Sequence, residues 1–276
     1  MIRYGHNLKT LNIKKIKKDI NDKLVANKSK KMQVEDKGKD SNAYGNYDEV
    51  KGRIAVYTCI TGKYDNLQVP LVRLENVDYY LITDMPERYK GFAEYYKIIK
   101  LPKAIMQKGN IEANRFVKFH PHVFFDSYDY SMYIDGNVRI VSNIRDMVGA
   151  CNCVTGIAMH LHRERNCLYK EAEICKKLKR GNKRKIDAQI KRYKKSGFPV
   201  DYGMNEATII ACDLNNIHSK QLLNDWWHEF IRSRSMRDQL AWPYVLWKNG
   251  YKISDVGNLG DDIYKNYKIE IVHHVS

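Results

Sequence analysis

The chain repeatedly alternates short apolar runs with helical or polar stretches, and each run stops at a polar or turn-forming residue. "RIAVYTCITG" (53–62) is apolar and β-branched and ends in Thr-Gly. "VDYYLITD" (77–84) closes on Asp84 ahead of Met-Pro, and "AEYYKIIKLP" (93–102) closes on Leu-Pro. "YSMYIDGNVRI" (130–140) runs into Asp135, Gly136 and Asn137. Such runs read as strands. "NIEANRFVKFH" (110–120) has helical composition and stops before Pro121. The alternation predicts an α/β layered domain with a mostly parallel central sheet. A length of 276 residues is ample for one such domain with additions.

Further along, "CVTGIAMHLH" (153–162) and "EATIIACDL" (206–214) read as strands, and "LLNDWWHEFIRS" (222–233) as a helix. "RDQLAWPYVLWKNG" (237–250) reads as a helix interrupted by Pro243. Residues 166–197 read as two helices broken at Gly181-Asn182. Their apolar stripes are Leu168, Ala172, Cys175, Leu178 and Ile186, Ile190, Tyr193. No internal repeat is visible.

The net charge of +16 is confined to two places. Residues 1–52 carry +6 and residues 176–195 carry +10, which leaves the remainder neutral. A neutral domain with two basic attachments argues against nucleic acid as the partner. Residues 1–27 place Ile13, Ile16, Ile20 and Leu24 at helical spacing among lysines: either a basic amphipathic helix lying on a partner or anionic membrane, or a solvated terminal helix. Residues 28–52 read as a polar linker. The expected organisation is a basic helix and linker over 1–52, then one domain over 53–276 with a helical hairpin insertion at about 166–197. The six cysteines show no paired CxxC spacing, and reduced thiols in a cytoplasmic protein are expected. No apolar run approaches the roughly 20 residues that span a bilayer. Residues 176–195 are the expected point of peripheral contact with an anionic membrane or an acidic glycan.

A strand ending in Asp-Gly-Asn has two readings. Asp-Gly and Gly-Asn are common in hairpin turns. Alternatively, Asp135 and Asn137 present oxygen beyond the carboxyl end of a parallel strand, where open α/β sheets bind ligands, and Gly136 permits the sharp turn. Hard oxygen donors suit Mg²⁺ or Mn²⁺, which would neutralise a departing diphosphate.

"RFVKFHPHVFFDSYDYSMYIDGNVRI" (115–140) resembles the donor-site segment of GT-A-fold glycosyltransferases. Residues 53–275 are similar to a glycosyltransferase-like family of plant mucilage and cell-wall proteins and bacterial surface-polysaccharide proteins. The matching pieces include "YTCITGKYD" (57–65), "LITD" (81–84), "HLHRERNCLYKEA" (160–172) and "MRDQLAWPY" (236–244). Asn137 departs from the family's general motif, in which a second Asp is common.

The resemblance implies transfer of a sugar from a nucleotide-sugar donor to a carbohydrate acceptor, in surface or capsular polysaccharide synthesis, with Mn²⁺ or Mg²⁺. The competing classes are a non-catalytic nucleic-acid-binding protein using the basic hairpin and a metal-dependent nucleotidyltransferase. In the glycosyltransferase reading, Thr58, Thr61 and Gly62 cradle the donor nucleotide. Asp84 bonds the base or ribose, or else caps a turn. Arg115 and Lys118, at i and i+3 of one helix face, steady the diphosphate. Asp135 and Asn137 are the metal ligands, with a late histidine, His273 or His274, as a third. His160, His162, Arg163 and Glu171 form the acceptor side, with Glu171 either binding the acceptor or pairing with a basic neighbour. Asp238, or alternatively Glu206, is the catalytic carboxylate.

Overall fold

In the computed structural model, which describes residues 47–62 and 64–272, the first apolar run forms β1 (Ile54–Ile60), buried along its whole length. Its side chains alternate between two cores: Ala55, Tyr57 and Cys59 to one face, Ile54, Val56 and Ile60 to the other. A strand covered on both faces must be apolar throughout, which is why this run shows no polar alternation. Next come β2 (Val77–Thr83), β3 (Lys97–Lys100), β4 (Tyr130–Ile134), β5 (Val138–Ile140), β6 (Ile157–Leu161), β7 (Asn205–Asp213), β8 (Gly257–Asn258) and β9 (Ile269–Ile271).

Seven strands form one sheet in the order β3-β2-β1-β4-β7-β6-β8. The pairs β1–β2, β1–β4, β2–β3 and β6–β8 are parallel, while β7 runs antiparallel to β4 and β6. The α/β class with a mostly parallel sheet is therefore as expected. The remaining strands, β5 and β9, pair antiparallel in a separate ribbon.

The main helices are α1 (Asn110–Phe119), α2 (Leu168–Lys177), α3 (Lys183–Lys195), α4 (Ile217–Ser233) and α5 (Trp242–Lys248). On one sheet face, Val117 and Phe119 of α1 pack with Trp226 of α4 and Trp242 of α5. Pro243 does not interrupt a helix. It lies in the first turn of α5, where its missing N–H costs nothing, after a separate 3₁₀ turn at Asp238–Leu240.

The α2–α3 hairpin has a small core of its own, with Leu168, Ala172, Cys175, Ile186 and Tyr193 meeting Phe198 and Tyr244. The rings of Tyr193 and Tyr244 stack with centroids 3.8 Å apart. Glu229 of α4 accepts from the Tyr193 hydroxyl (2.8 Å) and from Arg192 (2.6 Å), which anchors the hairpin to the body. Leu178, expected to extend the α2 stripe, is instead 55% exposed because α2 ends at Lys177.

The chain divides into two units, Met1–Ser41 and Asn42–Ser276, and every described residue belongs to the second. The expected helix over 1–27 lies outside the described residues. Val50, at the end of the expected linker, is buried, and Arg145 donates to its carbonyl at 2.8 Å. Among the described residues no helix is long and apolar enough to cross a membrane.

Candidate active site

β4 lies between β1 and β7, and its end carries Asp135-Gly136-Asn137. The Asp135 amide donates to Thr208 of β7 (3.0 Å), and the Val138 amide closes a tight turn onto the Asp135 carbonyl (2.9 Å). This turn does not build a hairpin. β4 stays in the main sheet, while β5 leaves it to pair with β9. Gly136 is required by close approach, since a Cβ there would lie 2.9 Å from both Ile60 Cδ1 and Asp65 Cβ.

Both polar residues of the turn are held in place. The buried Tyr133 hydroxyl donates to Asp135 Oδ1 (2.9 Å). Asn137 Nδ2 donates to the Val272 carbonyl (3.1 Å), and the Val272 amide returns a bond to the Asn137 carbonyl (2.9 Å). Among the described residues, Asp135 Oδ2 and Asn137 Oδ1 accept no hydrogen bond. Two hard oxygens two residues apart fit a divalent cation such as Mg²⁺ or Mn²⁺. His273 and His274, read as a third ligand, lie outside the described residues. Within them, no three His, Cys, Asp or Glu side chains converge as a metal site.

Asp238 is buried against α1, with Oδ2 lying 2.8 Å from Arg115 Nε and 3.0 Å from Lys118 Nζ. Burial alone would raise this carboxyl, but Arg115, Lys118 and Arg237 together outweigh it and hold the group well below the usual carboxylate range. A carboxylate so stabilised is a weak base. Lys118 is 2% exposed, and its ammonium lies 4.9 Å from the centre of the Tyr133 ring. Expected to steady a diphosphate, it is shut away from solvent because α1 packs on β1 and β4 at this position. Arg115 retains 22% side-chain exposure, so of the two cations it is the one that reaches solvent.

The second expected carboxylate belongs to a different cluster. His162 Nε2 lies 3.7 Å from both Glu171 Oε2 and Glu206 Oε1, and Arg165 Nε donates to Glu171. Gln239 Nε2 donates to Glu206 Oε2 (3.3 Å) and to the Asn205 carbonyl (3.1 Å). Burial pushes the Glu206 carboxyl above its ordinary value; His162 pulls the other way and Glu171 adds to the rise. Glu206 keeps 22% side-chain exposure. It stands two residues along β7 from Thr208, the partner of Asp135, and is in register with His160 of β6. The oxygen pair and this partly exposed carboxylate therefore share one end of the sheet.

Three of the expected donor residues also meet at that end. The Gly62 amide, at φ +61°, donates to both Asp84 carboxylate oxygens (3.3 Å each), and Thr61 Oγ1 donates to the Asn110 carbonyl (2.9 Å). Thr58 does not join them. It lies inside β1, 1% exposed, because the strand continues to Ile60.

His160 does not face the acceptor cluster. It is fully buried, its Nε2 accepts from Asn266 Nδ2 (2.9 Å), and burial pushes its imidazole down to about 4. β6 stops at Leu161, so strict alternation does not carry from His160 to His162. Arg163 turns outward to Glu164 (3.0 Å) and over the Tyr264 ring (4.7 Å), and Arg165 takes the inward place. The sequence reading passed over Gln239 and Tyr133. Gln239 was legible only as the neighbour of Asp238. Tyr133 looked like an apolar strand residue.

A mostly parallel α/β sheet thus carries a hard-oxygen turn and a carboxylate cluster at one end. The chain belongs to the TOD1/MUCI70 family of glycosyltransferase-like domains, whose model matches residues 25–273. It is a glycosyltransferase of that family. No curated protein sequence matches it. Among solved structures it is similar to mouse xyloside xylosyltransferase 1 in apo form, at 11% identity and a TM-score of 0.46, over 79% of this chain and 96% of the other. It is also similar to the apo bifunctional glycosyltransferase WbbM, at 11% identity and a TM-score of 0.46, over 82% and 46%. A third is the galactosyltransferase LgtC with donor and acceptor sugar analogues, at 10% identity and a TM-score of 0.42, over 74% and 72%.

Proposed function

We propose that the protein moves a sugar from a nucleotide-sugar to a carbohydrate acceptor in surface or capsular polysaccharide synthesis. Asp135 and Asn137 would hold Mn²⁺ or Mg²⁺, which when bound offsets the charge of the donor diphosphate. Arg115, fixed by Asp238, turns a guanidinium toward the same charge. Thr61, Gly62 and Asp84 form the adjoining wall for the nucleotide.

On the acceptor side, Glu206 accepts the proton of the attacking hydroxyl. The acceptor oxygen bonds to the anomeric carbon, the bond from that carbon to the diphosphate oxygen breaks, and the electron pair leaves with the nucleoside diphosphate. Glu206 suits this task better than Asp238 because its carboxyl is raised and partly exposed, whereas Asp238 is sequestered between two cations. His162 and Glu171 pack behind it, and Arg165, the most exposed of the three, faces the acceptor.

What supports the reading is that Asp135, Asn137 and Glu206 share one end of the sheet. Thermal unfolding with a panel of nucleoside diphosphates, with and without Mn²⁺, tests it. A metal-dependent rise in Tm with one base is expected, and its loss in Asp135→Ala. If no nucleoside diphosphate raises the Tm under either condition, the reading fails.

A further inference from the structure

The charge at the start of α3 is arranged against the stability of that helix, although the cations in its last turn and in that of α2 suit the carboxyl ends where they lie. α3 opens with Lys183, Arg184 and Lys185 and has no acidic residue in its first turn. The amino end of a helix carries partial positive charge, so three cations there work against the macrodipole. Only the Asn182 side chain, which accepts from the Lys185 amide (3.1 Å), caps this end. A surface shaped for solubility and stability alone would carry acids at these positions.

These cations are also left unneutralised. The single acid of the 176–195 run, Asp187, is taken by Lys176 (2.7 Å), and Arg192 is taken by Glu229. Among the described residues, Lys183, Arg184, Lys185, Lys191 and Lys195 form no ion pair, and all are exposed. The apolar side of α3 is already occupied, because Ile186 and Tyr193 are buried in the hairpin core. The helix therefore presents a cationic outer face rather than an amphipathic one free to insert. At the turn between the helices, the exposed Leu178 sits between the exposed Lys177 and Lys179.

We propose that this face docks on an anionic lipid surface. Clustered lysines and arginines meet acidic headgroups electrostatically, and one exposed apolar side chain at the tip enters the headgroup boundary. An acidic glycan would account for the cations but not for an exposed leucine set among them. The hairpin turn also touches the site region: the Asn182 amide donates to the Ser235 carbonyl (3.0 Å), three residues before Asp238. A docked hairpin would hold the Glu206 cluster beside the lipid. Lipid binding itself does not depend on the sugar-transfer reading.

The test is co-sedimentation of the full chain with vesicles of phosphatidylcholine alone and with about one third phosphatidylglycerol, at low and high salt. A parallel arm measures binding to a soluble polyuronic acid. The wild type is expected on the anionic vesicles only, with binding falling at least tenfold at high salt. The triple variant Lys183→Glu, Arg184→Glu, Lys185→Glu should lose at least tenfold in vesicle binding. Its Tm should not fall, because acids suit that helix end, and its metal-dependent nucleoside diphosphate response should be unchanged. Leu178→Ser should weaken vesicle binding without changing its dependence on salt. Persistent binding by the triple variant would assign the contact to another part of the chain and overturn the proposal. Binding to the polyuronic acid but not to vesicles, or to neither, would also overturn it.

Discussion

Asp238 Oδ2 lies 2.8 Å from Arg115 Nε, and this contact ties the turn before α5 to the helix α1 that precedes β4 and its Asp-Gly-Asn turn. Lys118 shares the same oxygen from the next turn of α1. The next residue, Gln239, faces the other way and donates to Glu206. Two adjacent side chains thus reach the Arg115–Lys118 pair on one side and the Glu206 cluster on the other, and the roles of the two candidate carboxylates can be separated by mutation.

Asp238→Asn removes the charge that balances the buried Lys118 and the partly buried Arg115. Breaking a buried pair in this way costs about 3–5 kcal/mol. Chemical denaturation should show that loss. An Asp238→Asn protein of wild-type stability and abolished turnover would instead make Asp238 the base.

Glu206→Gln should reduce turnover by roughly 10²–10⁴-fold, the usual contribution of a general base. The folded carboxyl is raised, so its ionisation costs stability progressively as pH rises from the ordinary glutamate value through the folded value. The variant should therefore be at least as stable as wild type at pH 7 and gain nothing at pH 4. The acid limb of the wild-type rate profile should lie above the ordinary glutamate value.

Asn137→Asp replaces the amide of the proposed ligand pair with a carboxylate. It should tighten Mn²⁺ binding by roughly tenfold or more, while Asp135→Ala should abolish it, since a charged oxygen is the stronger ligand for a hard cation. Calorimetric titration of Mn²⁺ into each variant gives the order directly.

His160 is buried neutral, with its imidazole pushed down to about 4. Its contribution to stability is complete above the unfolded value near 6.5 and is lost as pH falls toward 4, about 3 kcal/mol in all. Denaturation midpoints between pH 7 and pH 4 should fall accordingly, and His160→Gln, which keeps an acceptor for Asn266, should flatten the curve.

Gly136→Ala should destabilise by about 1–3 kcal/mol through overpacking against Ile60 and Asp65. It should also weaken the proposed metal binding by displacing the turn between Asp135 and Asn137. Denaturation and Mn²⁺ titration of the same variant read both effects.

The sequence by itself determined most of the elements and some of their ends. The unbroken apolar run of β1 required burial on both faces, the Asp-Gly-Asn turn closed β4, and the break at Gly181-Asn182 made two helices of the basic segment. These are properties of a few consecutive residues, set by local periodicity and turn chemistry. Only the tertiary structure decided which side chains meet. It gave Asp238 to Arg115 and Lys118, and Glu206 to Gln239 and His162. It sent β5 to β9, so that the turn is not a hairpin. It buried His160 while leaving His162 among carboxylates, because β6 ends between them. Contacts between residues a hundred positions apart depend on strand order and direction, and one antiparallel strand, β7, brings Glu206 to the end of the sheet where Asp135 emerges.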